Sequence, residues 1–126
     1  DLTQAEYECV KQHPVFGVKI MEGVGVFDEC LPIVRWHHER LDGTGYPDGL
    51  RGDEIPFLVR ITAIADVFDA MVSTRAYRKG LEVDYVLDHL VESAQKGQVD
   101  ETLARIFVDV IRRRGILDSG SEEQAA

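Results

Sequence analysis

The stretch FLVRITAIADVFDAMVSTRAY, residues 57–77, constrains the fold of this chain more than any other segment. Its apolar residues recur at helical spacing on nearly every face, whereas no segment alternates apolar and polar residues as a half-buried strand would. We therefore expect a long central helix that is buried almost all round, in an all-α protein. A chain of 126 residues is long enough for one hydrophobic core, so a single domain is expected.

Start and stop signals divide the rest of the chain into shorter helices. Thr3 and Glu6 have the spacing of a capping box, which predicts a first helix through Lys11. Asp100 is placed to cap the last helix. Four further helices are predicted from apolar periodicity and from the glycines and prolines, at residues 15–22, 27–39, 83–95 and 101–114. The expected architecture is a bundle of about six helices.

The domain limits are predicted from composition. No linker or repeat interrupts residues 1–117, which we interpret as one domain. The segment DSGSEEQAA, residues 118–126, has the composition of a disordered tail. Because the chain begins with Asp1 rather than with methionine, we expect that the domain continues upstream and is N-terminally incomplete here.

Charge and composition exclude several classes of function. A net charge of −9 argues against a nucleic-acid polymer as partner, because binding a polyphosphate requires a basic surface. No apolar run approaches the roughly 18 to 20 residues that span a bilayer, and none resembles a signal peptide. We therefore expect a cytoplasmic protein without membrane contact. Cys9 and Cys30 lack metal-type spacing and are expected to be small buried hydrophobic residues rather than a disulfide.

Two adjacent histidines, His37 and His38, stand directly before a stretch rich in glycine and proline, residues 40–56. On a helix, neighbouring side chains diverge by about 100°, so the pair is not expected to chelate one ion together. The two could serve neighbouring ions, or one could bind a metal while the other orients a ligand. Imidazole suits zinc, iron, manganese and nickel, and carboxylates complete such sites.

Further metal-ligand candidates are His13 in QHPVFG and Asp66 in IADVFDA. A buried aspartate within the most apolar helix is costly unless it is paired or coordinated, which makes Asp66 the most informative carboxylate. Asp69 lies three residues further, on the same face of the helix. From the residues alone, a metal site and a set of hydrogen-bonded structural histidines are both open.

The glycine-rich stretch has a structural interpretation, and the basic cluster after the central helix has two interpretations. DGTGYPDGLRGD could be a rigid surface turn with Tyr46 packed on the fold. Arg75, Arg78 and Lys79 lie at the end of the central helix, where cations complement the helix dipole. Arginine forks also bind phosphates, so a phosphate-binding role for this cluster is open as well.

The segment HHERLDGTGYPDGLRGDEIP followed by RITAIADVFDAMVSTRAYR resembles the HD-GYP family, a branch of the HD superfamily of metal-dependent phosphohydrolases. The resemblance covers residues 2–80 and implies an all-helical bundle with a glycine-rich GYP loop before the central helix. It also implies a cluster of divalent metal ions, usually iron or manganese, with nickel or zinc as alternatives. The implied reaction is hydrolysis of the bacterial messenger cyclic di-GMP to pGpG or GMP.

The resemblance assigns roles to individual residues of this chain. It implies that His37, His38 and Asp66 act in catalysis and that these three bind metal together with His13. The residues implied to contact the nucleotide are Tyr46, Asp69, Arg75 and Arg78. If this assignment is right, the substitution Asp66→Ala should abolish metal binding, and unchanged metal content would refute it.

One part of the family pattern is absent from this chain, which contains no His-Asp dipeptide. The resemblance therefore implies that two metal ligands, an upstream glutamate and a lysine are lacking here, and that the parent protein carries a sensory or receiver domain. Two functions stay open: a phosphodiesterase, or a non-catalytic cyclic-dinucleotide receptor or interaction module. Helix faces left exposed would favour a homodimer.

Overall fold

A computed structural model of the chain describes residues 2–74 and 79–114. The α-helices in these residues are α1 Gln4–Val10, α2 His13–Met21, α3 Leu31–Trp36, α4 Phe57–Val72, α5 Val83–Gln95 and α6 Glu101–Arg114. Short 3-10 helices occupy Gly25–Cys30 and Gly52–Glu54. The described residues form no β-strand, and an isolated bridge joins Asp42 to Arg51. The all-α prediction is confirmed. Arg75, Arg78 and the predicted tail at 118–126 lie outside the described residues.

Two predicted capping interactions are present. The Thr3 hydroxyl accepts from the backbone N–H of Glu6 at 3.3 Å, and the Glu6 carboxylate accepts from the backbone N–H of Thr3 at 2.7 Å. At the other end of the chain, Asp100 accepts from the backbone N–H of Leu103 at 3.1 Å. Each cap satisfies a donor that the first turn of its helix leaves unpaired.

The helix predicted at residues 27–39 differs from the structure. Here the 3-10 helix Gly25–Cys30 precedes α3, and α3 ends at Trp36. Pro32, in the first turn of α3, has no N–H to donate and would clash with the carbonyl four residues earlier in a continuous α-helix. The α-helix therefore starts only beside the proline, and His37 and His38 follow its last turn.

The hydrophobic core lies between α4, α5 and α6. Its buried members are Ile64, Phe68, Val86, Leu87, Leu90, Ala94, Ala104 and Val108. The expectation that α4 is buried almost all round is wrong, because Phe57 and Leu58 near its start are 61% and 60% exposed. Among the described elements, α3, α5 and α6 pack against α4 and cover only part of its circumference.

The N-terminal layer, consisting of α1, α2 and the first 3-10 helix, is thin. Pro14 is its one buried residue among those described. Cys9 and Cys30 lie in this layer, and both are exposed free thiols. Their predicted burial is therefore wrong, since no second layer covers them in the described part of the chain. None of the helices in residues 2–74 and 79–114 combines the length and apolar character that crossing a membrane requires.

Candidate metal centre

His13, His37 and His38 converge at the junction of α2 and α3. One ring nitrogen from each histidine lies within 4.8 Å of the other two. Nε2 of His38 is 3.1 Å from Nε2 of His13, and the ring centroids of His37 and His38 are 4.0 Å apart. The expectation that His37 and His38 diverge is wrong, because α3 ends at Trp36 and His38 lies beyond the helix.

Backbone carbonyls fix the orientation of two of these rings. Nδ1 of His13 is 2.8 Å from the carbonyl of Val10, and Nδ1 of His37 is 2.9 Å from the carbonyl of Val34. A carbonyl only accepts, so Nδ1 carries the proton in both rings and the lone pair is on Nε2. Metal-binding histidines have this arrangement, with one nitrogen donating to a carbonyl and the other free for the ion.

The electrostatic environment keeps His38 neutral. Burial, followed by the charge of His37, lowers the pKa of His38 to about 4, although the charge of Asp66 acts in the opposite direction. The imidazole of His38 is therefore unprotonated at neutral pH and has a lone pair to offer. A neutral imidazole can donate its lone pair to a cation, whereas a protonated one would repel it.

Asp66 borders the three histidines from α4. Its Oδ2 is 3.8 Å from Nδ1 of His38, and its side chain is 44% exposed. The expected burial of Asp66 is therefore wrong, since this face of α4 is only partly covered. Asp69, one turn further, is also exposed and accepts a hydrogen bond from the Ser73 hydroxyl at 3.3 Å. The structure thus brings Asp66 to the edge of the centre and does not group Asp69 with the histidines.

Tyr46, in the GYP loop, forms another wall of the centre. Its ring centroid is 4.9 Å from that of His38 at an interplanar angle of 30°, and its backbone N–H donates to the carbonyl of His38 at 3.3 Å. The peptide bond between Tyr46 and Pro47 is cis. Burial raises the pKa of the Tyr46 phenol, with smaller contributions from Tyr7 and Asp66. The phenol is therefore a neutral hydrogen-bonding group beside the histidines.

The buried carboxylate of Glu39 holds the GYP loop in place. Glu39 is 4% exposed and accepts from the backbone N–H groups of Asp48, Gly49 and Leu50 at 2.6, 3.0 and 3.0 Å. Sequence reasoning assigned no role to Glu39, because a glutamate in a polar stretch usually lies at the surface. The signal in the sequence that could have indicated a role for Glu39 was its position directly after His38.

A second clamp joins the loop to the end of α3. Arg35 donates to the Asp48 carboxylate through Nε at 2.7 Å and Nη2 at 2.9 Å, and Trp36 donates through Nε1 at 2.6 Å. The hydrogen bond from Arg35, followed by that from Trp36, lowers the pKa of Asp48. Together with Glu39, this clamp fixes the loop to the segment that carries His37 and His38.

Two glycines permit the close approaches that form the centre. A Cβ at Gly17 would lie 2.8 Å from Cγ1 of Val34, so the glycine lets α2 bring His13 close to the end of α3. A Cβ at Gly45 would lie 2.5 Å or less from backbone atoms of residues 38–40. A residue with a side chain would therefore clash with its neighbours at either position.

The donor set fits a divalent transition-metal ion. Imidazole nitrogens bind such ions at about 2.1 Å, so two ligand atoms lie at most about 4.2 Å apart. The three nitrogens lie within 4.8 Å of one another, and ring movements of a few tenths of an ångström would close the set. Imidazoles with a neighbouring carboxylate suit zinc, iron, manganese or nickel.

Comparisons with known proteins identify the family of the chain. The family model of the HD domain matches residues 1–103. The chain is 42% identical over 105 residues to the cyclic di-GMP phosphodiesterase response regulator RpfG of Xanthomonas campestris, covering 78% of this chain and 26% of that protein. It is 38% identical over 92 residues to the 3′3′-cGAMP-specific phosphodiesterase 3 of Vibrio cholerae, covering 73% and 20%.

A solved structure shares the fold. An HDG"Y"P protein from Bdellovibrio bacteriovorus superposes with a TM-score of 0.73 at 20% sequence identity, over 89% of this chain and 35% of that protein. The chain spans about a quarter of the length of RpfG, and its match to a cyclic di-GMP phosphodiesterase of Pseudomonas aeruginosa, at 36% identity, likewise covers 26% of that relative. By its domain match, its relatives and its fold, the chain belongs to the HD domain family, in the HD-GYP branch.

Proposed function

We propose that this chain acts in a metal-dependent phosphodiesterase that hydrolyses cyclic di-GMP to pGpG or GMP. The observation that carries the proposal is the convergence of three imidazoles beside Tyr46, with two lone pairs fixed by backbone carbonyls. Relatives named as cyclic di-GMP phosphodiesterases support the choice of substrate.

Each residue has a defined task in this proposal. His13, His37 and His38 bind a divalent cation, and Asp66 joins them as a fourth ligand by a small movement from its place 3.8 Å from His38. When bound, such an ion acts as a Lewis acid and offsets charge on a phosphate group. Tyr46 borders the nucleotide. Roles for Asp69, and for Arg75 and Arg78 outside the described residues, stay predictions from the family resemblance.

Metal binding is the first test. The metal-free chain, titrated with Mn²⁺ in a calorimeter, should bind the ion, and His13→Ala and Asp66→Ala should abolish the binding, because each removes a ligand. His89→Ala is the matched control, since His89 lies on α5 away from the cluster. Undiminished affinity of the Asp66→Ala protein would contradict the assigned ligand set.

Turnover is the second test. The Mn²⁺-loaded chain is incubated with cyclic di-GMP, and the products are separated by chromatography. The proposal expects pGpG or GMP, lost in the His13→Ala protein. A second candidate function, a non-catalytic cyclic-dinucleotide receptor, is favoured by the lack of a His-Asp dipeptide in this chain. Saturable binding of cyclic di-GMP without any product would support the receptor.

A further inference from the structure

Arg40 differs from two neighbouring arginines, Arg35 and Arg60, in having no partner for its side chain among the described residues. Arg35 is engaged by Asp48, and Arg60 by Asp53 and Asp100. The exposed side chain of Arg40 forms no hydrogen bond or ion pair with any residue of the described ranges. Arg40 therefore carries an unengaged guanidinium group on the segment that directly follows His37 and His38.

The backbone of Arg40 is fixed relative to the centre. Its carbonyl accepts from the N–H of Gly43 at 2.8 Å, and a Cβ at Gly45 would clash with its backbone nitrogen. Gly45 directly precedes Tyr46, whose N–H donates to the carbonyl of His38 at 3.3 Å and whose ring centroid is 4.9 Å from that of His38. The backbone of Arg40 is therefore constrained against the segment that carries Tyr46.

The acidic side chains next to Arg40 in the sequence are engaged by other groups. Glu39 accepts from the backbone N–H groups of Asp48, Gly49 and Leu50. The Asp42 carboxylate accepts from the N–H and the hydroxyl of Thr44 at 2.9 and 2.6 Å. Neither carboxylate forms an ion pair with Arg40 in the described part of the chain, which leaves its guanidinium available to an external anion.

We propose that Arg40 binds a phosphate group of the cyclic dinucleotide at the mouth of the three-histidine centre. This inference rests on the proposed function and adds a substrate-binding residue to it. A guanidinium fork matches two phosphate oxygens, and its hydrogen bonds to an anion are stronger than those between neutral groups. On a chain with a net charge of −9, a local cation is also needed to offset repulsion of an anionic ligand.

The test compares the affinities of three cyclic dinucleotides. The full chain, loaded with Mn²⁺, is titrated with cyclic di-GMP, 3′3′-cGAMP and cyclic di-AMP, which share two phosphates but differ in their bases. Arg40→Ala should weaken binding of each detectable ligand by a similar factor, about tenfold. Arg40→Lys should recover part of the loss, because it keeps the charge without the fork.

Two controls separate phosphate binding from other effects. Arg105→Ala removes the same charge from α6, where the side chain is 74% exposed, and should leave the affinities unchanged. Mn²⁺ affinity of the Arg40→Ala protein should not fall, since removal of a cation does not weaken binding of another cation.

Each contrary result has a distinct meaning. A loss confined to guanine-containing ligands would show that Arg40 contacts the base, and an equal loss in Arg105→Ala would show an effect of overall charge. Unchanged affinity in Arg40→Ala would overturn this inference while leaving the proposed function intact. A wild-type chain that takes up Mn²⁺ but binds none of the three dinucleotides would overturn both.

Discussion

At the residue scale, the site depends on side chains that hold the loop as much as on those that face the centre. Glu39 is buried, and its charge is tolerated because three backbone N–H groups solvate it in place of water. Asp48 is held by Arg35 and Trp36 in the same region. These contacts connect α3 directly to the GYP loop.

Replacing Glu39 should therefore cost more stability than replacing an exposed glutamate. Glu39→Ala leaves three loop N–H groups without their acceptor, and we expect the free energy of unfolding to fall by about 3 kcal/mol. Urea unfolding followed by circular dichroism measures the change. Glu92→Ala, on the exposed face of α5, is the control and should change stability by less than about 0.5 kcal/mol. Equal effects of the two substitutions would contradict the clamp.

The Asp48 clamp should make stability depend on pH. Since the pKa of Asp48 is lowered below its ordinary value of 3.8 in the folded chain, its carboxylate stabilises the fold above that pH. This contribution is lost as the pH falls through the folded-state pKa. We expect Asp48→Asn to lower the free energy of unfolding by about 1 kcal/mol at pH 7. The difference from wild type should shrink below pH 3.8, and a constant difference would contradict the mechanism.

The sequence predicted the residues that face the centre better than those that support it. His13, His37 and His38 stood out because imidazoles near helix ends are few and chemically distinctive. Glu39 did not, because its partners lie nine to eleven residues later and bind through the backbone, which carries no side-chain signature. The convergence of His37 and His38 also required knowing that α3 stops at Trp36.

At the element scale, local signals predicted helices well where caps and periodicity agreed. The bounds of α5 and α6 match the prediction, since a clear apolar stripe and, for α6, the Asp100 cap act together. The prediction failed at α3, where the apolar pattern continues through a proline that the hydrogen-bond ladder cannot accommodate. The degree of burial of α4 depended on its packing partners, which periodicity alone does not identify.

At the element scale, Asp100 makes two interactions, and its replacement by alanine should remove both of them. It caps α6 through the N–H of Leu103 and pairs with Arg60 of α4 at 3.3 Å. We expect Asp100→Ala to lower the free energy of unfolding by about 2 kcal/mol, measured by urea unfolding. Arg60 keeps its bonds to the carbonyls of Ile55 and Gly52 and limits the damage.

Asp100→Asn separates the two functions. Asparagine still caps the helix but carries no charge for Arg60, so it should recover most of the stability if the cap dominates. A loss in Asp100→Asn as large as that in Asp100→Ala would assign the effect to the ion pair instead.

At the scale of the whole molecule, the core is concentrated at one end and apolar surface is exposed elsewhere. An apolar groove of about 230 Å³ lies between α4 and α6, lined by Ile61, Ile64, Leu103, Ile106, Phe107 and Val110. Ile106 is 56% exposed, and Phe57 and Leu58 at the start of α4 are exposed as well. Exposed apolar surface of this kind favours association between copies of a chain.

We expect this surface to produce concentration-dependent self-association. Sedimentation velocity over a wide range of protein concentration should show a rising weight-average sedimentation coefficient. Ile106→Ser combined with Val110→Ser should suppress the rise, because both side chains line the groove. Tyr85→Ser, at an exposed position on α5, is the control and should not. A wild-type coefficient that stays constant would contradict the homodimer prediction.

The succession His37, His38, Glu39 has a dynamic consequence. A cation that immobilises the two imidazoles also immobilises the adjoining carboxylate, and with it the loop amides of Asp48, Gly49 and Leu50. Deuterium uptake at those amides should therefore slow when the ion is added, although none of them touches it. Occupancy of the centre would in this way be transmitted to the GYP loop.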